Sequence, residues 1–299
     1  MGNLTVLADG LTHTEGVRWH EGRVWFSDIY THGVYSVGED GSQLRTEAEV
    51  PGEPSGLGWL PDGRLLAVSM RDRRVVRREH DGTVVTHADL SPLSEYPLND
   101  MTVSRDGTAW VGTWGFDVLS LAPRRPGSLI RVDPDGTPSV VAGPVHFPNG
   151  ATIIDGSTLV VAESFGNRLS EFDIRSDGSL SERRDWASFG PVPAEEDPVK
   201  AMGQLGVAAD GISHVDADGA IWVADFVKSR AVRVMPGGEI VDEVSTGDLN
   251  CYSCALGGED GRTLFLCATP ADFDPEKRAG NPESAVLSTR VHVPLRERG

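Results

Sequence analysis

The sequence predicts an all-β fold, a six-bladed β-propeller with four-stranded antiparallel blades around a central axis, and three observations lead to it. One pattern of polar, apolar and turn residues recurs six times along the 299 residues, with starts 40 to 61 residues apart. Every copy contains an Asp-Gly or Glu-Gly turn. No long amphipathic helical pattern interrupts the copies, and short strands repeated at this period are typical of propeller blades.

Each copy consists of a polar residue, a short apolar run, a turn and a second, more hydrophobic run. The polar residues that open the copies are Glu15, Ser55, Asn99, Asn149, Asp210 and Ser253. The turns run from Glu21-Gly22 in the first copy to Asp260-Gly261 in the last. Such dipeptides suit tight hairpins, because glycine has no Cβ and tolerates positive φ. Each copy therefore predicts the two inner strands of one blade.

The stretches between the copies predict the outer strands. For example, GSLIRVDPDG at residues 127–136 predicts a third strand with its turn, and the following TPSVVAG predicts a fourth. The segment NLTVLAD at residues 3–9 is expected to add an outer strand to the last blade and so close the ring. We therefore expect a single propeller domain over residues 1–299.

The composition fits this fold and excludes several function classes. The 35 glycines and 19 prolines suit many turns, and the three cysteines predict no disulfide framework. A formal net charge of −18 without a long basic run argues against nucleic-acid binding. No apolar stretch approaches the roughly 18 residues of a membrane helix, and no signal-peptide pattern opens the sequence. We expect a cytoplasmic monomer or homodimer that acts on a small molecule.

The longest insertion precedes Asp210. It includes FGPVPAEEDPVKAMGQLG at residues 189–206, which is rich in proline, glycine and charge. A loop of this length is either a functional lid or a long surface connection. We expect a lid across residues 187–208, because the segment leads directly into a candidate site residue.

The polar residues that open the copies predict a ligand site. Equivalent positions of a propeller surround its axis, so two carboxylates, two carboxamides and two hydroxyls would meet there. Oxygen ligands suit Ca²⁺ and Mg²⁺, and Mn²⁺ accepts them, whereas the lack of His and Cys argues against a dedicated zinc site. A single Asp or Asn is better explained as part of a turn. The occurrence of polar residues at the same position in all six repeats nevertheless favours a cation site.

The chain resembles the senescence-marker-protein/gluconolactonase/luciferin-regenerating-enzyme family over nearly its whole length. The motifs that carry this resemblance are EGVRWH from Glu15, LND at residues 98–100, FPNG at residues 147–150 and ADGI from Ala209 before DADGAIWVAD. Together these motifs are specific, although each alone is weak. The resemblance implies a six-bladed propeller with one divalent ion, often calcium, and an enzyme that hydrolyses lactones.

The resemblance also implies roles for single residues. Glu15, Asn149 and Asp210 match the metal ligands of the family, and Asn99 matches a residue beside the metal that contacts water or substrate. Asp210 also matches the proposed general base, with positioning of the water or the metal as the alternative role. The expected cofactor is one Ca²⁺, with Zn²⁺, Mn²⁺ or Mg²⁺ as alternatives, which would polarise the lactone carbonyl.

Four residues are candidates for substrate contacts, namely Arg18, Tyr96, Asn99 and Trp114. Trp114 follows a second strand that returns to the mouth, where a substrate wall and a buried core position are equally good explanations. Strand alternation leaves the direction of Arg18 open. Some sugar-lactone hydrolases of the family carry an arginine where this chain has Pro97. A less polar lactone is therefore as good a candidate as gluconolactone.

The ends of the other second strands predict Asp28, Glu163 and Phe226 at the pocket rim. A further departure from the family pattern is one extra residue between Asp210 and its hairpin, which would shift the metal geometry. Two other function classes stay open. One is a propeller that binds calcium or a small ligand without turnover, and the other is a metal-dependent cyclase, isomerase or hydratase.

Overall fold

The computed structural model describes residues 3–271 and 274–296. Within them the chain forms six four-stranded antiparallel sheets, which are the blades of a propeller. The predicted fold class is therefore confirmed.

The first three blades follow the chain directly. The strand β1 (Thr5–Leu11) comes first and belongs to the last blade. Blade 1 contains β2 (Thr14–His20), β3 (Arg23–Asp28), β4 (Gly33–Gly38) and β5 (Arg45–Glu49). Blade 2 contains β6 (Pro54–Trp59), β7 (Leu65–Ser69), β8 (Arg74–Arg78) and β9 (Val84–Asp89). Blade 3 contains β10 (Leu98–Val103), β11 (Ala109–Thr113), β12 (Gly127–Val132) and β13 (Pro138–Val145).

The last three blades include two short helices in their connections. Blade 4 contains β14 (Pro148–Ile154), β15 (Thr158–Glu163), β16 (Arg168–Asp173) and β17 (Arg184–Ser188). After α1 (Pro198–Met202), blade 5 contains β18 (Ala209–Ile212), β19 (Ile221–Asp225), β20 (Arg230–Val234) and β21 (Ile240–Ser245). Blade 6 contains β22 (Asn250–Gly257), β23 (Thr263–Thr269) and, after α2 (Pro275–Gly280), β24 (Ser284–Arg290). Neither helix of the described residues is long and apolar enough to cross a membrane.

The ring is closed by the two ends of the chain. Strand β1 pairs antiparallel with β24, with Thr5 opposite Ser288 and Val6 opposite Leu287. The sheet order β1-β24-β23-β22 makes β1 the outer strand of blade 6. This confirms the predicted closure, in which blade 6 combines strands from both ends of the sequence.

The turn between the two inner strands holds the predicted dipeptide in every blade. The glycine of each dipeptide has a left-handed φ, from +70° at Gly261 to +91° at Gly107. A side chain at that φ is strained, so glycine at these positions fixes where each hairpin turns.

The hydrophobic core lies between the faces of neighbouring blades. Val17, Phe26 and Val37 of blade 1 pack against Ala255 and Phe265 of blade 6, and all five are buried. Comparable clusters lie between the other blades. Burying one side chain of this kind stabilises the fold by about 1.5–3 kcal/mol. The packed faces hold the innermost strands around the axis.

A register irregularity marks the start of every innermost strand. In blade 3, Leu98 pairs with Thr113 and the next pair is Met101 with Val111, which leaves one extra residue on β10. The other five blades have the same irregularity at the same place. Bulges of this type redirect a side chain. They occur here at the positions that the sequence predicts for the ring.

The strand register corrects one member of the predicted ring. Asn250 pairs with Thr269 as Leu98 pairs with Thr113, so the residue equivalent to Asn99 is Cys251 and not Ser253. Polarity selects Ser253 in the sequence, but the pairing of β22 with β23 places that residue two positions beyond the ring. The ring residues are therefore Glu15, Ser55, Asn99, Asn149, Asp210 and Cys251.

Candidate active site at the channel mouth

The ring residues lie at the mouth, the end of the channel where the innermost strands begin. Glu15, Asn99, Asn149 and Asp210 are each between 5% and 8% exposed, so they are buried but reach the surface at one edge. The extra residue after Asp210 leaves this end unchanged, because Ala209 still pairs with Asp225 as the equivalent residues do in other blades. The predicted shift in the site geometry is therefore not present in the strand register.

Glycines beside the ring residues bring the innermost strands close together. A Cβ added at Gly150 would lie 2.5 Å from the backbone nitrogen of Ile212 in the next blade. A Cβ at Gly211 would likewise collide with Ser253. Only glycine permits this approach. The polar side chains of adjacent blades are therefore held near one another.

Asn149 and Asp210 each have one buried oxygen without a protein partner. Among the described residues, Asn149 Oδ1 and Asp210 Oδ1 accept no hydrogen bond. The other end of the Asn149 carboxamide is fixed, because its Nδ2 donates to Ser164 Oγ at 3.3 Å. Ser164 Oγ in turn donates to the Ala209 carbonyl at 2.7 Å, next to Asp210. Buried oxygens without partners cost stability, so these two are available for a ligand.

Asn99 lies against the neighbouring ligand candidate. Its Nδ2 donates to the carbonyl oxygen of Pro148 at 3.1 Å, and Pro148 directly precedes Asn149. This bond fixes the orientation of the Asn99 carboxamide. The structure thus brings Asn99 and Asn149 together from blades 3 and 4, as the sequence predicts.

Buried negative charge dominates the electrostatics of the ring. Burial, followed by the nearby carboxylate of Asp100, raises the pKa of Glu15 to about 8. Burial also raises the pKa of Asp210 well above its usual value, with added effects from Glu15 and Asp100. Buried carboxyl groups whose pKa values are raised by neighbouring negative charge favour a bound cation.

The donor set fits an oxygen-coordinated divalent ion. Within residues 3–271 and 274–296, no group of three or more His, Cys, Asp and Glu side chains is arranged around a metal position. The candidate set of Glu15, Asn149 and Asp210 instead combines two carboxylates with a carboxamide. Such oxygen donors suit Ca²⁺, Mg²⁺ or Mn²⁺.

Cys251 adds a thiol to the ring but not a metal ligand. Burial raises the pKa of the Cys251 thiol well above its usual value, and Cys254 and Cys267 raise it further. All three cysteines are buried and form no disulfide bond. A neutral buried thiol is inert, whereas metal ligation needs the thiolate.

Arg18 is engaged by the protein rather than extended into the mouth. Its Nη2 donates to Asp100 Oδ1 at 2.6 Å and to the Met101 carbonyl at 2.9 Å. The Asp100 side chain is 1% exposed and the Arg18 side chain 14%. Arg18 also lines a cavity of about 1030 Å³ together with residues at the far ends of the innermost strands, such as His20 and His214. Arg18 therefore contacts both Asp100, which follows the ring residue Asn99, and the cavity at the far ends of the innermost strands.

Three buried acids brace the candidate metal ligands. Asp28 accepts from the backbone nitrogen of His13, which lies two residues before Glu15, at 2.7 Å. Glu163 accepts from the nitrogen of His146 at 2.7 Å, just before Asn149 in the chain. Asp225 accepts from the nitrogen of Ala208 at 3.1 Å, just before Asp210. Each acid holds the backbone that leads into one candidate ligand.

The sequence-based prediction placed Asp28 and Glu163 at the pocket rim, and this is wrong. Both are 0% exposed, because their carboxylates turn inward to the backbone of the neighbouring strand. The feature of the sequence that could identify these acids is their position at the end of a second strand. The second strands of blades 1, 4 and 5 end in an acid, whereas those of blades 2, 3 and 6 end in Ser69, Thr113 and Thr269. The acids thus occur only in the three blades with candidate ligands.

Aromatic side chains surround the ring. Trp114 stacks on Phe147 with ring centres 5.8 Å apart, and Phe226 stacks on Tyr252 at 5.9 Å. Each of the four is less than 9% exposed. Trp114 is therefore part of the core, and its role as a substrate wall stays a prediction. Tyr96 is half-buried against the same cluster.

Two residues of the segment 187–208 pack against the aromatic side chains near the ring. Ala201 packs in the cluster that contains Trp114 and Phe147, and Leu205 packs with Phe226 and Tyr252. The helix α1 provides this contact, with Asp197 capping its first turn. The segment therefore contacts the aromatic clusters of two blades, and the predicted lid stays a prediction.

Arg124 fastens this segment to blade 3. Its Nη1 donates to the carbonyl oxygens of Pro193 at 3.2 Å and Glu195 at 2.7 Å. Its backbone nitrogen donates to the Glu196 carbonyl at 2.8 Å. Contacts from one side chain therefore fix the outer part of the segment.

The comparisons with known proteins give the family. The SMP-30/Gluconolactonase/LRE-like region matches residues 13–269. A 6-deoxy-6-sulfogluconolactonase of Pseudomonas putida is 30% identical over 199 residues, which are 66% of this chain and 62% of that protein. The chain thus aligns with less than two thirds of that relative's length. An L-arabinolactonase of Azospirillum brasilense is 25% identical over 95% of this chain and 90% of its own.

A solved structure has the same fold. A calcium-binding protein, regucalcin, from Agrobacterium tumefaciens matches with a TM-score of 0.76 and 19% identity, over 100% of this chain and 96% of that one. The identity is low enough that this likeness supports the fold alone. Because the family pattern spans most of the sequence and the blades agree with it, the chain belongs to the SMP-30/gluconolactonase/LRE-like family.

Proposed function

We propose that this protein is a lactonase that depends on one divalent cation bound by Glu15, Asn149 and Asp210. The observation that carries the proposal is the pair of buried, unpartnered oxygens of Asn149 and Asp210 in a ring that also contains the buried acid Glu15. The enzyme class agrees with the relatives named as lactonases. Calcium is our first candidate ion, and Zn²⁺, Mn²⁺ and Mg²⁺ are alternatives.

The cation and the ring residues have different roles in hydrolysis. A bound divalent cation supplies polarisation of a carbonyl and neutralisation of a developing oxyanion. Asp210 is the candidate to accept a proton from the attacking water, and its alternative role is to orient that water. Asn99 positions the water or the substrate, because its carboxamide is fixed by Pro148. The apolar cover of residues 187–208 excludes bulk water.

The substrate that we propose is a small-molecule lactone. The relatives are named for sugar lactones, whereas Trp114, Phe147 and Phe226 give this mouth an aromatic surface. Such surfaces bind the apolar face of a ring. Both sugar lactones and less polar alkyl or aryl lactones therefore belong in the test.

Acid release from a lactone panel tests the proposal. We expect no release after chelation and restored release after reloading with Ca²⁺, Mn²⁺, Mg²⁺ or Zn²⁺. The panel contains gluconolactone, alkyl γ- and δ-lactones and an aryl lactone. Metal-dependent thermal stabilisation without acid release would instead indicate a binding protein or a non-hydrolytic enzyme.

We also propose that residues 187–208 form a lid held by Arg124. The Arg124→Met variant is expected to increase hydrogen exchange at residues 191–197, because the carbonyls of Pro193 and Glu195 lose their donor. The variant should have a clearly higher KM for lactones, whereas its melting temperature should fall only slightly. Arg125→Met is the matched control, since Arg125 is exposed. Equal exchange in both variants would contradict the fastening role.

A further inference from the structure

We propose that Arg71 is a substrate-binding residue that receives an oxygen-bearing substituent of the lactone ring. This inference rests on the proposed function, because it assigns part of the same mouth. Neither the metal ligands nor the lid accounts for Arg71. Hydrogen bonds anchor Arg71 beside the ring, its guanidinium stacks on Trp114, and its terminal nitrogens are donors that the described residues leave unused.

The backbone and one side of the guanidinium are anchored beside the ring. The nitrogen of Arg71 donates to the Gly52 carbonyl at 2.9 Å, just before the ring residue Ser55. Its Nε donates to Glu53 Oε2 at 2.8 Å. Glu53 itself has a φ of +68°, a left-handed conformation that is strained for a non-glycine residue. A strained residue thus holds the guanidinium in one orientation.

The guanidinium also stacks on the aromatic wall of the mouth. Its central carbon lies 5.4 Å from the centre of the Trp114 ring. Trp114 stacks in turn on Phe147, which lies two residues before Asn149. A row of side chains therefore leads from Arg71 in blade 2, across blade 3, to a candidate metal ligand in blade 4. A cation over an indole is held by the electron density of the ring.

Several donors in this row have no acceptor. In the described part of the chain, the terminal nitrogens of Arg71 make no hydrogen bond or ion pair, since its contact with Glu53 uses Nε alone. The Arg71 side chain is 37% exposed. The indole nitrogen of Trp114 is buried and also lacks an acceptor. A substrate oxygen at this place would satisfy donors that the protein leaves unused.

The unused donors of Arg71 and the adjacent indole ring indicate which part of a substrate binds here. Planar guanidinium donors recognise oxygen acceptors, and the flanking indole face accommodates the ring that carries them. Arg71 therefore binds hydroxyl or anionic substituents of a lactone, while the ester group lies toward the ring residues. An unsubstituted alkyl lactone makes no such contact. Arg71 thus favours hydroxylated lactones despite the aromatic mouth.

The test compares two lactones and two arginine variants. Arg71→Met keeps the length of the side chain and removes its donors, and Arg71→Lys keeps the charge. Arg74→Met is the matched control, because Arg74 is exposed three residues further along. In Arg71→Met, KM for gluconolactone is expected to rise roughly tenfold or more, with kcat little changed, since one charged hydrogen-bonding group is lost. KM for δ-valerolactone is expected to stay within about twofold.

A binding measurement separates this inference from the lactonase proposal. 1,5-Anhydroglucitol carries hydroxyls on a similar ring but has no ester, and calorimetry on the calcium-loaded protein measures its affinity. Weaker binding to Arg71→Met than to Arg74→Met and partial recovery in Arg71→Lys would support the role of Arg71 even if no lactone were hydrolysed. Equal KM and equal analogue affinity in Arg71→Met and wild type would overturn it. Absence of both turnover and analogue binding in the wild type would overturn both proposals.

Discussion

Replacing Asp210 by Asn is expected to lower lactone turnover at least about 100-fold, because the change removes both a metal ligand and the candidate base. The variant keeps the size of the side chain, so the bulge and the Ala209 pairing with Asp225 have no reason to change. Glu15→Gln is expected to lower turnover by a similar factor. The measurement is acid release with each protein saturated by the ion that best supports the wild type.

Melting curves with and without metal separate a lost ligand from a damaged fold. In chelator, Asp210→Asn should melt at or above the wild-type temperature, since a neutral carboxamide avoids burying a charge beside Glu15 and Asp100. Added metal should stabilise the wild type by about 2.7 kcal/mol at 100 times Kd and the variant by much less. Asp248→Asn, an exposed change, is the control. Full activity in a folded, metal-loaded Asp210→Asn or Glu15→Gln would refute the site assignment.

Replacing Arg18 by Met is expected to lower the free energy of unfolding by roughly 3–5 kcal/mol, because Asp100 would remain buried without its partner. Asp100 is 1% exposed and lies close enough to raise the pKa of Glu15 and Asp210. Losing the guanidinium would therefore leave a buried group of acids with no nearby cation. Denaturant unfolding of the metal-free protein measures the loss.

A second substitution and a surface pair provide the controls. Asp100→Asn in the Arg18→Met background should recover most of the stability, because it removes the charge left unpaired. Arg184→Met should cost less than about 1 kcal/mol, since its pair with Asp173 is about half exposed on both sides. A raised KM with unchanged stability in Arg18→Met would instead support the substrate contact predicted for Arg18 from the sequence.

The repeats made the fold predictable. Each Asp-Gly or Glu-Gly pair marks a tight turn, and the apolar runs on either side become paired strands because they bury against the next blade. The position of β1 followed from the same logic, since a blade lacking its outer strand has an unpaired edge that another segment must cover. Local turn chemistry and strand patterning were sufficient for these features.

Other features depend on contacts between blades that no local pattern contains. The partner of Arg18 is 82 residues away, and Arg124 binds a carbonyl 71 residues away. Strand alternation gives a face and not a partner, and it therefore wrongly places Asp28 and Glu163 at the rim. Their inward bonds arise only when the second strand is placed beside the backbone that enters the ring.

Turns and strand periodicity are local properties, and they therefore suffice to predict the six blades, their closure and the polar positions Glu15, Asn99, Asn149 and Asp210. The folded structure places Cys251 and not Ser253 in the ring, because its strand pairing puts Asn250 opposite Thr269 and Ser253 lies two residues beyond Cys251. It also decided which charges are buried together. The free energy of a carboxylate depends on its neighbours in space, and closure of the ring sets those neighbours.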